Sequence, residues 1–258
     1  MPNITLGSDV EVQIVNAAGD FISAVGLIGG SKEEPVWFDN FNLQEDNINV
    51  EFAINPVSTK EDWCEYLTAA LSQVETTLSD IGYKVAINAT AIYDDTQLAT
   101  PEAKLFGCDP DFSAYTLREN IAPDPDDVGG LRSAGGHIHV GMEGVNIHEL
   151  VKWMDVYLGL PALFMDEDNT RRQLYGQAGS HRAKPYGVEY RALSNFWIRD
   201  KELMEWAYDQ TMKAIKAAQS ASIEDIPDWT RIPRSINGYD RNMAEDVLTW
   251  LEKEGYNG

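Results

Sequence analysis

Two histidines one residue apart, flanked by glycines, form the sharpest chemical pattern in the sequence. The segment Gly135–Gly141 has the sequence GGHIHVG. In an extended strand the side chains alternate between two faces, so His137 and His139 point to the same side. Two imidazoles on one face, beside glycines that let other groups approach the backbone, are typical of a metal or anion site. A hydrogen-bonded histidine pair on a half-buried strand has the same pattern, so the motif alone leaves both interpretations open.

Acidic side chains follow the same two-residue spacing near the start of the chain. Asp9 and Glu11 project from one side of a predicted strand, and Glu51, with Asp46 just upstream, provides a second acidic strand face. Like charges on one face repel each other unless water or cations separate them. Each face alone is compatible with a solvent-facing strand. Together the carboxylates offer the oxygen ligands that Mg²⁺ or Mn²⁺ prefers.

A basic window interrupts this acidic sequence. Residues 171–191 (RRQLYGQAGSHRAKPYGVEYR) contain five Lys and Arg residues and a single acid, in a chain whose formal charge is −22. Arginine provides fixed, bidentate donors for phosphate or carboxylate. The three glycines of the window predict a loop able to fold over a ligand, and Glu189 and Arg191 share a face of the strand that follows. The clustering favours a ligand site over simple compensation of acidic neighbours.

Alternating patterns predict the strands that would carry these groups. Val10, Val12 and Ile14 face one way, while Asp9 and Glu11 face the other. Further strands are predicted at Asn47–Ile54, Lys84–Ile92, Gly136–Met142 and Val188–Phe196. Val25–Ser31 (VGLIGGS) lacks the glycine spacing of known phosphate loops and predicts a hairpin turn.

Helical spacing appears between these strands. Ser58 and Glu61 form a capping-box pattern that begins a helix ending at Gly82, and Asn146 caps a helix that is disturbed at Pro161. Two more helices are predicted at Lys201–Ala218 and Arg241–Glu254. The helical tryptophans are most simply core residues: Trp63, Trp153, Trp206 and Trp250. Because strands recur without regular βαβ alternation, the fold class is α+β with a largely antiparallel sheet.

Length and composition limit the organisation and the partners. No linker divides the 258 residues, which predicts one domain over residues 1–258 with a surface loop at Ala122–Gly130. The negative charge disfavours binding along a nucleic-acid backbone or to an anionic membrane, and no apolar run is long enough to span one. The N-terminus lacks the pattern of a secretory signal. Only Cys64 and Cys108 occur, which fits a reducing cytoplasm.

The order of these segments resembles the phage-type COOH–NH2 ligases (amidoligases, type 2) of the glutamine synthetase-like carboxylate–amine ligase superfamily. The resemblance extends over roughly residues 6–199. It rests on five segments in the family's order: GSDVE, DNINVEF, FGCDPDFSAY, GGHIHVG and RAKPYGVEYRALSNFW. The implied fold is a glutamine synthetase-like catalytic domain, with a curved, largely antiparallel sheet (a half-barrel) flanked by helices.

The implied activity is ATP-dependent amide-bond formation. In that superfamily Mg²⁺ or Mn²⁺ ions orient ATP, a carboxylate attacks the γ-phosphate, and an amine captures the resulting acyl phosphate. The partners implied are small-molecule or peptide carboxylates and amines in the cytoplasm, which is the host's if the chain is phage-encoded. Amino acids, peptides, cell-wall fragments and modified nucleobases all remain open as substrates.

The resemblance also implies roles for individual residues. The metal ligands would be Asp9, Glu11, Glu51, His137 and Glu189, with Asp46 as a less secure neighbour. His139 would lie near the nucleotide phosphates. Arg191 would contact the transferred phosphoryl group or the acid substrate, and Arg182 would bind phosphate, with three helpers in nucleotide binding: Arg171, Arg172 and Lys184.

The chain departs from glutamine synthetases in two respects. Asp9 shortens their Glu-x-Glu pair by one methylene. Their separate N-terminal domain, which completes the neighbouring subunit's site, has no counterpart before this strand, so the choice between monomer and homo-oligomer is open. Two alternatives to a ligase are a zinc hydrolase using His137, His139 and His148, and a non-catalytic protein that keeps the ligase fold.

Overall fold

A computed structural model describes residues 4–104, 110–121 and 125–255. Cys108, part of the FGCDPDFSAY segment and part of the Ala122–Gly130 stretch therefore lie outside the described residues. The strands, in chain order, are β1 (Thr5–Val15), β2 (Phe21–Ile22), β3 (Val36–Trp37), β4 (Phe41–Asp46), β5 (Asn49–Val57), β6 (Lys84–Ala86), β7 (Thr90–Ile92), β8 (Phe112–Ser113), β9 (Leu131–Ser133), β10 (Gly136–Gly141), β11 (Ser180–Lys184) and β12 (Gly187–Tyr190).

One large antiparallel sheet organises the fold. Its strand order is β3-β4-β5-β1-β10-β12-β11-β8, and β2 and β6 pair with the far end of β1. Strands β7 and β9 form a separate antiparallel pair. The pairings within the large sheet are antiparallel, which confirms the predicted sheet type.

Helices flank this sheet, which confirms the α+β class. They are α1 (Lys60–Asp80), α2 (Pro101–Lys104), α3 (Pro125–Val128), α4 (Ile147–Met154), α5 (Leu160–Met165), α6 (Thr170–Leu174), α7 (Lys201–Ser220), α8 (Arg231–Gly238) and α9 (Arg241–Lys253). Helix α1 packs on β5 and α7, and α4 packs on α7 and β12. No helix in the described ranges combines the length and the apolar composition needed to cross a membrane.

The two faces of the sheet have opposite character. The face toward the helices carries fully buried apolar side chains such as Val10, Phe52, Ile138 and Val188, which pack with Trp63 of α1. Because side chains alternate along each strand, their sequence neighbours project from the other face. That second face therefore collects the polar groups of the central strands in one place.

The predicted helices begin and end close to their expected positions. The cap of α1 is Thr59 rather than Ser58, since the Thr59 side chain accepts a hydrogen bond from the Asp62 N–H. Asn146 caps α4 as predicted. The chain continues from α4 to α5 through a π-helical turn at Asp155–Gly159, just before Pro161, whose nitrogen cannot donate to the preceding turn.

Three strand predictions need correction. Ile48 lies in the turn between β4 and β5 and packs in a small separate cluster with Tyr93. The segment Lys84–Ile92 forms two strands, because the Gln13 carboxamide binds both the C=O and the N–H of Asn88 and ends the first pairing. The strand predicted at Val188–Phe196 ends at Tyr190 and is followed by a 3-10 turn, Asn195–Ile198.

Two loop predictions also differ from the structure. The basic window 171–191 is not a loop over a ligand but contains part of α6 and the paired strands β11 and β12. The glycine-rich segment Val25–Ser31 lies between β2 and β3, which do not pair with each other, so it is a turn but not a hairpin. The Glu45 carboxylate accepts hydrogen bonds from three of its backbone N–H groups, at Gly26, Ile28 and Gly29.

Candidate active site on the polar face of the sheet

The register of three adjacent strands assembles the first group of candidate ligands. Asp9 of β1 lies opposite His137 of β10, and His139 of β10 lies opposite Glu189 of β12. Ligand atoms of Asp9, His139 and Glu189 lie within 4.8 Å of one another. The two-residue spacing in each strand is what places all of these side chains on one face. We call Asp9, His139 and Glu189 the mixed cluster.

Asp9 binds both histidines. Its Oδ1 lies 2.8 Å from His137 Nδ1, and its Oδ2 lies 3.2 Å from His139 Nε2. Burial raises the pKa of Asp9, but the two imidazoles outweigh this effect and hold it well below its ordinary value. Burial also lowers the pKa of His137, and with the charge of Arg191 brings it to about 4. Burial likewise lowers the pKa of His139, but Asp9 raises it more. At neutral pH Asp9 is therefore a carboxylate and His137 is neutral.

Glu189 is fully buried and is surrounded by cations. Lys184 Nζ lies 2.8 Å from its Oε2, Arg182 Nη1 lies 3.6 Å from its Oε1, and the Arg191 guanidinium is in direct contact with it. Burial and the Asp9 charge raise the pKa of Glu189, but Arg191 and the histidines lower it to about 2. The predicted cations Arg182, Lys184 and Arg191 thus form a positive border around this carboxylate.

A second group of acids lies on the neighbouring strands. Glu11 of β1 is directly opposite Glu51 of β5, and oxygen atoms of Glu11, Asp46 and Glu51 lie within 4.8 Å of one another. We call these three residues the carboxylate cluster. Gln44 Nε2 donates to Glu51 at 2.6 Å, and the N–H of Gly135 donates to Glu11 at 2.8 Å.

Burial and mutual repulsion raise the pKa values of the carboxylate cluster. Burial and the charge of Asp46 raise the pKa of Glu11 to about 7. Burial and the nearby carboxylates raise the pKa of Glu51 well above its ordinary value, and burial raises the pKa of Asp46. Three carboxylic acids that resist ionisation together are suited to a divalent cation, which reverses the local charge balance.

The structure brings the predicted metal ligands together on one face of the sheet. Asp9, Glu11, Glu51 and Glu189 share this face with Asp46, the neighbour that the resemblance left less secure. Both histidines lie beside the acids: His137 Nδ1 lies 2.8 Å from Asp9 Oδ1 and 3.7 Å from Glu189 Oε1, and His139 belongs to the mixed cluster. The separate roles predicted for the two imidazoles stay predictions.

Arg171 and Arg172 are turned into the protein, which corrects the expectation that they help to bind nucleotide. Both are almost fully buried. Arg171 donates to the backbone carbonyls of Ala192 and Arg191, and Arg172 donates to the carbonyl of Asp168. Arg171 therefore holds the chain that follows β12 against α6, and so supports the position of Arg191.

The three histidines of the zinc alternative do not come together. His148 lies on α4, where its ring meets the His181 ring edge-on at a centroid distance of 5.1 Å. His181 is paired with Tyr190 in the β11–β12 ladder and shares the helix-facing side of the sheet with it. His137 and His139 lie on the opposite face, so no His137–His139–His148 site is formed.

The sequence analysis did not identify two residues of the site, Tyr186 and Asp111. The Tyr186 hydroxyl forms a hydrogen bond with His139 Nδ1 at 2.7 Å, and its ring stacks on the imidazole. Asp111 Oδ2 lies 3.8 Å from Arg191 Nε. Pro185-Tyr186-Gly187 between two alternating segments is a turn signal that could have located Tyr186. Asp111 lies within the FGCDPDFSAY motif, but its contact with Arg191 spans 80 residues of sequence and could not be read from that motif alone.

Comparisons with known proteins agree with this architecture. The family model described as phage phiEco32-like COOH.NH2 ligase-type 2 matches residues 131–229, which include β10, β11 and β12. The solved structure "Apo GmaS without ligand" is similar with a TM-score of 0.50 and 11% identity, covering 97% of this chain and 64% of that one. A second structure, "Crystal structure of novel glutamine synthase homolog", has a TM-score of 0.40 and 11% identity, covering 98% and 66%.

The same comparisons show how much of each matched structure this chain covers. The chain spans slightly less than two thirds of the length of the solved structures that it matches. A comparison with curated protein sequences gave no match. The family match includes two of the five sequence motifs, GGHIHVG and RAKPYGVEYRALSNFW. The resemblance is confirmed: the chain has a glutamine synthetase-like fold and carries the signature of the type 2 COOH–NH2 ligases in residues 131–229.

Proposed function

We propose that this protein is an ATP- and Mg²⁺-dependent carboxylate–amine ligase that forms an amide bond through an acyl phosphate. We further propose that residues 1–258 act as one catalytic domain. The observation that carries the proposal is that two acid clusters and a border of cations share one face of one sheet. The family match supports the carbon–nitrogen ligase class.

The donor atoms support divalent metal binding. The carboxylate cluster (Glu11, Asp46 and Glu51) offers only oxygen, which Mg²⁺ and Mn²⁺ prefer, and the mixed cluster offers oxygen and one imidazole. When bound by these residues, such metals would supply positive charge that offsets the negative charge developing during phosphoryl transfer. His137 contacts Asp9 and would orient that carboxylate toward the metal.

The protein's own cations would act on the transferred phosphoryl group. Arg182, Lys184 and Arg191 surround Glu189, whose carboxylate holds their charged ends at the border of the site. Phosphoryl transfer depends mainly on positioning and on positive charge around the equatorial oxygens. We assign phosphate binding to Arg182 and Lys184, and contact with the acyl phosphate or the acid substrate to Arg191.

The test combines turnover with an independent measure of metal binding. The purified chain, supplied with ATP, Mg²⁺ and a panel of carboxylates and amines, is expected to release ADP and phosphate. Electron paramagnetic resonance should detect Mn²⁺ binding that Glu51→Gln weakens. Glu189→Ala should abolish turnover in a protein that still folds, whereas a non-catalytic binding protein would show no loss of function. Absence of ATP binding at millimolar concentration with Mg²⁺ would refute the proposal.

A further inference from the structure

The turn between β11 and β12 brings two side chains to the mixed cluster. Strand β11 ends at Lys184, and two residues separate it from β12, the second of which is Tyr186. The Tyr186 hydroxyl forms a hydrogen bond with His139 Nδ1, and Lys184 Nζ lies 2.8 Å from Glu189 Oε2. Two of the three residues of the mixed cluster therefore have a partner from this turn.

The backbone of the turn is fixed against β10. The carbonyl of Tyr186 accepts a hydrogen bond from the N–H of Met142, just after β10, at 2.9 Å. Gly187 has a φ of +149°, and a Cβ at this position would lie 2.1 Å from a carbonyl oxygen of β10, so the turn needs glycine here. Movement of the Lys184 ammonium group relative to Glu189 must therefore come from rotation within its four-carbon stem.

The three cations around Glu189 differ in exposure and in contact. The side chain of Arg191 is 7% exposed and also lies 3.2 Å from His137 Nδ1. The side chain of Arg182 is 16% exposed, and its Nη1 lies 3.6 Å from the carboxylate, beyond a direct hydrogen bond. The side chain of Lys184 is 30% exposed. Lys184 therefore combines close contact with Glu189 and access to solvent.

The mixed cluster has ligand atoms suited to a divalent cation. Glu189 Oε2 and His139 Nε2 are buried, and neither forms an aligned hydrogen bond within the part of the chain that the structure describes. Each has an ion-pair partner instead: Lys184 Nζ lies 2.8 Å from Glu189 Oε2, and Asp9 Oδ2 lies 3.2 Å from His139 Nε2. Carboxylate oxygen and imidazole nitrogen fit Mn²⁺ and Mg²⁺. The Lys184 ammonium thus supplies positive charge to a carboxylate that a metal ion would also need.

We propose that the ammonium group of Lys184 and a divalent metal ion at the mixed cluster exclude each other at Glu189, and that metal binding releases Lys184 to bind phosphate. The proposal rests on the proposed ligase function and deepens it, because it gives metal and phosphate a defined order of binding. Two cations that share one carboxylate repel each other, most strongly where burial keeps water away. Phosphate oxygens would then replace the carboxylate as the partner of the ammonium group.

The exchange would link the charge of the border to the presence of metal. In the metal-free protein Glu189 and Lys184 neutralise each other, so the positive charge of Lys184 is masked. A metal ion that takes Glu189 would add positive charge and also unmask Lys184, beside Arg182 on the same strand. Nucleotide without metal would therefore bind weakly, and phosphate would follow metal into the site.

Chemical labelling of wild type tests the release of Lys184. The acylating reagent N-hydroxysuccinimide acetate is added at one pH in EDTA, in Mg²⁺, and in Mg²⁺ in excess over tripolyphosphate, and labelled peptides are quantified by mass spectrometry. We expect acetylation of Lys184 to rise about fivefold with Mg²⁺, the size expected for loss of a partly exposed ion pair, and to fall again with tripolyphosphate. Lys216, exposed on α7, is the internal control and should not change. Equal or slower labelling of Lys184 in Mg²⁺ would overturn the proposal.

A metal-binding measurement tests the exclusion from the other side. Electron spin echo spectroscopy shows nitrogen modulation when Mn²⁺ binds an imidazole, so it reports the mixed cluster separately from the all-oxygen carboxylate cluster. We expect Lys184→Met to raise the Mn²⁺ affinity of the mixed cluster about fivefold, because the competing cation is gone, and Lys216→Met to leave it unchanged. An equal or lower affinity in Lys184→Met would show that Lys184 does not compete with metal.

The outcomes separate this proposal from the ligase proposal. If Mg²⁺ releases Lys184 but wild type neither binds ATP nor releases ADP, the ligase function fails and the exchange stands. If wild type turns over ATP while the labelling of Lys184 does not respond to Mg²⁺, the ligase function stands and the exchange is refuted. If wild type gives no nitrogen-modulated Mn²⁺ signal, metal does not bind the mixed cluster and the exchange is refuted. Because labelling uses wild type, it decides the question even if circular dichroism shows that Lys184→Met is unfolded.

Discussion

The contacts of Glu189 predict the effect of removing its charge. Glu189→Gln keeps the size of the side chain but leaves Arg182, Lys184 and Arg191 without their shared carboxylate. The pKa of Glu189 is about 2, against an ordinary value of 4.5. That difference corresponds to about 3 kcal/mol at neutral pH. Breaking a buried ion pair costs about 3–5 kcal/mol, which agrees in size.

The pH dependence gives this prediction a second, independent signature. A carboxylate whose pKa is lowered on folding stabilises the protein fully above its unfolded pKa, and this contribution is lost as the pH falls toward the folded pKa. The difference in unfolding free energy between wild type and Glu189→Gln should therefore be largest above about pH 5. It should shrink between about pH 4.5 and pH 2.

Urea unfolding at pH 7 in the presence of EDTA measures this effect without metal. We expect Glu189→Gln to lower the free energy of unfolding by about 3 kcal/mol and the melting temperature by roughly 6 °C. Glu61→Gln, on the exposed side of α1, is the matched control and should change stability by less than about 0.5 kcal/mol. If Glu189→Gln is as stable as wild type, or more stable, the repulsion between Glu189 and Asp9 outweighs the attraction between Glu189 and the three cations. That result would refute the predicted loss of stability.

Further predictions concern the metals, Tyr186 and the backbone. Mn²⁺ affinity, measured by calorimetry, should rise between pH 6 and pH 8, because Glu11, with a pKa of about 7, must lose its proton to bind metal. Glu51→Gln should reduce that affinity. Tyr186→Phe should lower ligase turnover by about tenfold with an unchanged melting temperature, since it removes only the hydrogen bond to His139 from a half-exposed side chain. Gly136→Ala should cost about 1–3 kcal/mol in urea unfolding, because its Cβ would lie 2.5 Å from Trp197 Nε1, whereas Gly238→Ala meets nothing and should be neutral or stabilising.

Local periodicity accounts for the part of the site that was predictable. Side chains in a strand alternate between its two faces, and this repeat is visible in the sequences of β1 and β10. It predicted that Asp9 shares a face with Glu11 and that His137 shares a face with His139. The same alternation put Val10 and Ile138 in the core. The order of five motifs then supplied the fold, which the structure confirms.

Contacts between distant segments account for what the sequence did not reveal. The meeting of both imidazoles with Asp9 and Glu189 depends on strand register, a property of paired strands that places β10 between β1 and β12. Arg171 is buried because its donors find carbonyls about 20 residues further along the chain, at Arg191 and Ala192. The window 171–191 was expected to be a loop from its glycines, but pairing between β11 and β12 overrides that local preference.

The sign of the charge changes across the polar face in the order of the strands. The carboxylate cluster lies on β4, β5 and β1, the histidines lie on β10, and the cations follow on β11 and at the end of β12, toward β8. Under the proposed function, the acids would hold metal at one end and Arg191 would mark the point of phosphoryl transfer. Because this order is fixed by strand pairing, metal binding and contact with the transferred phosphoryl group would belong to opposite ends of the polar face, and a shift in the register of any central strand would disturb both.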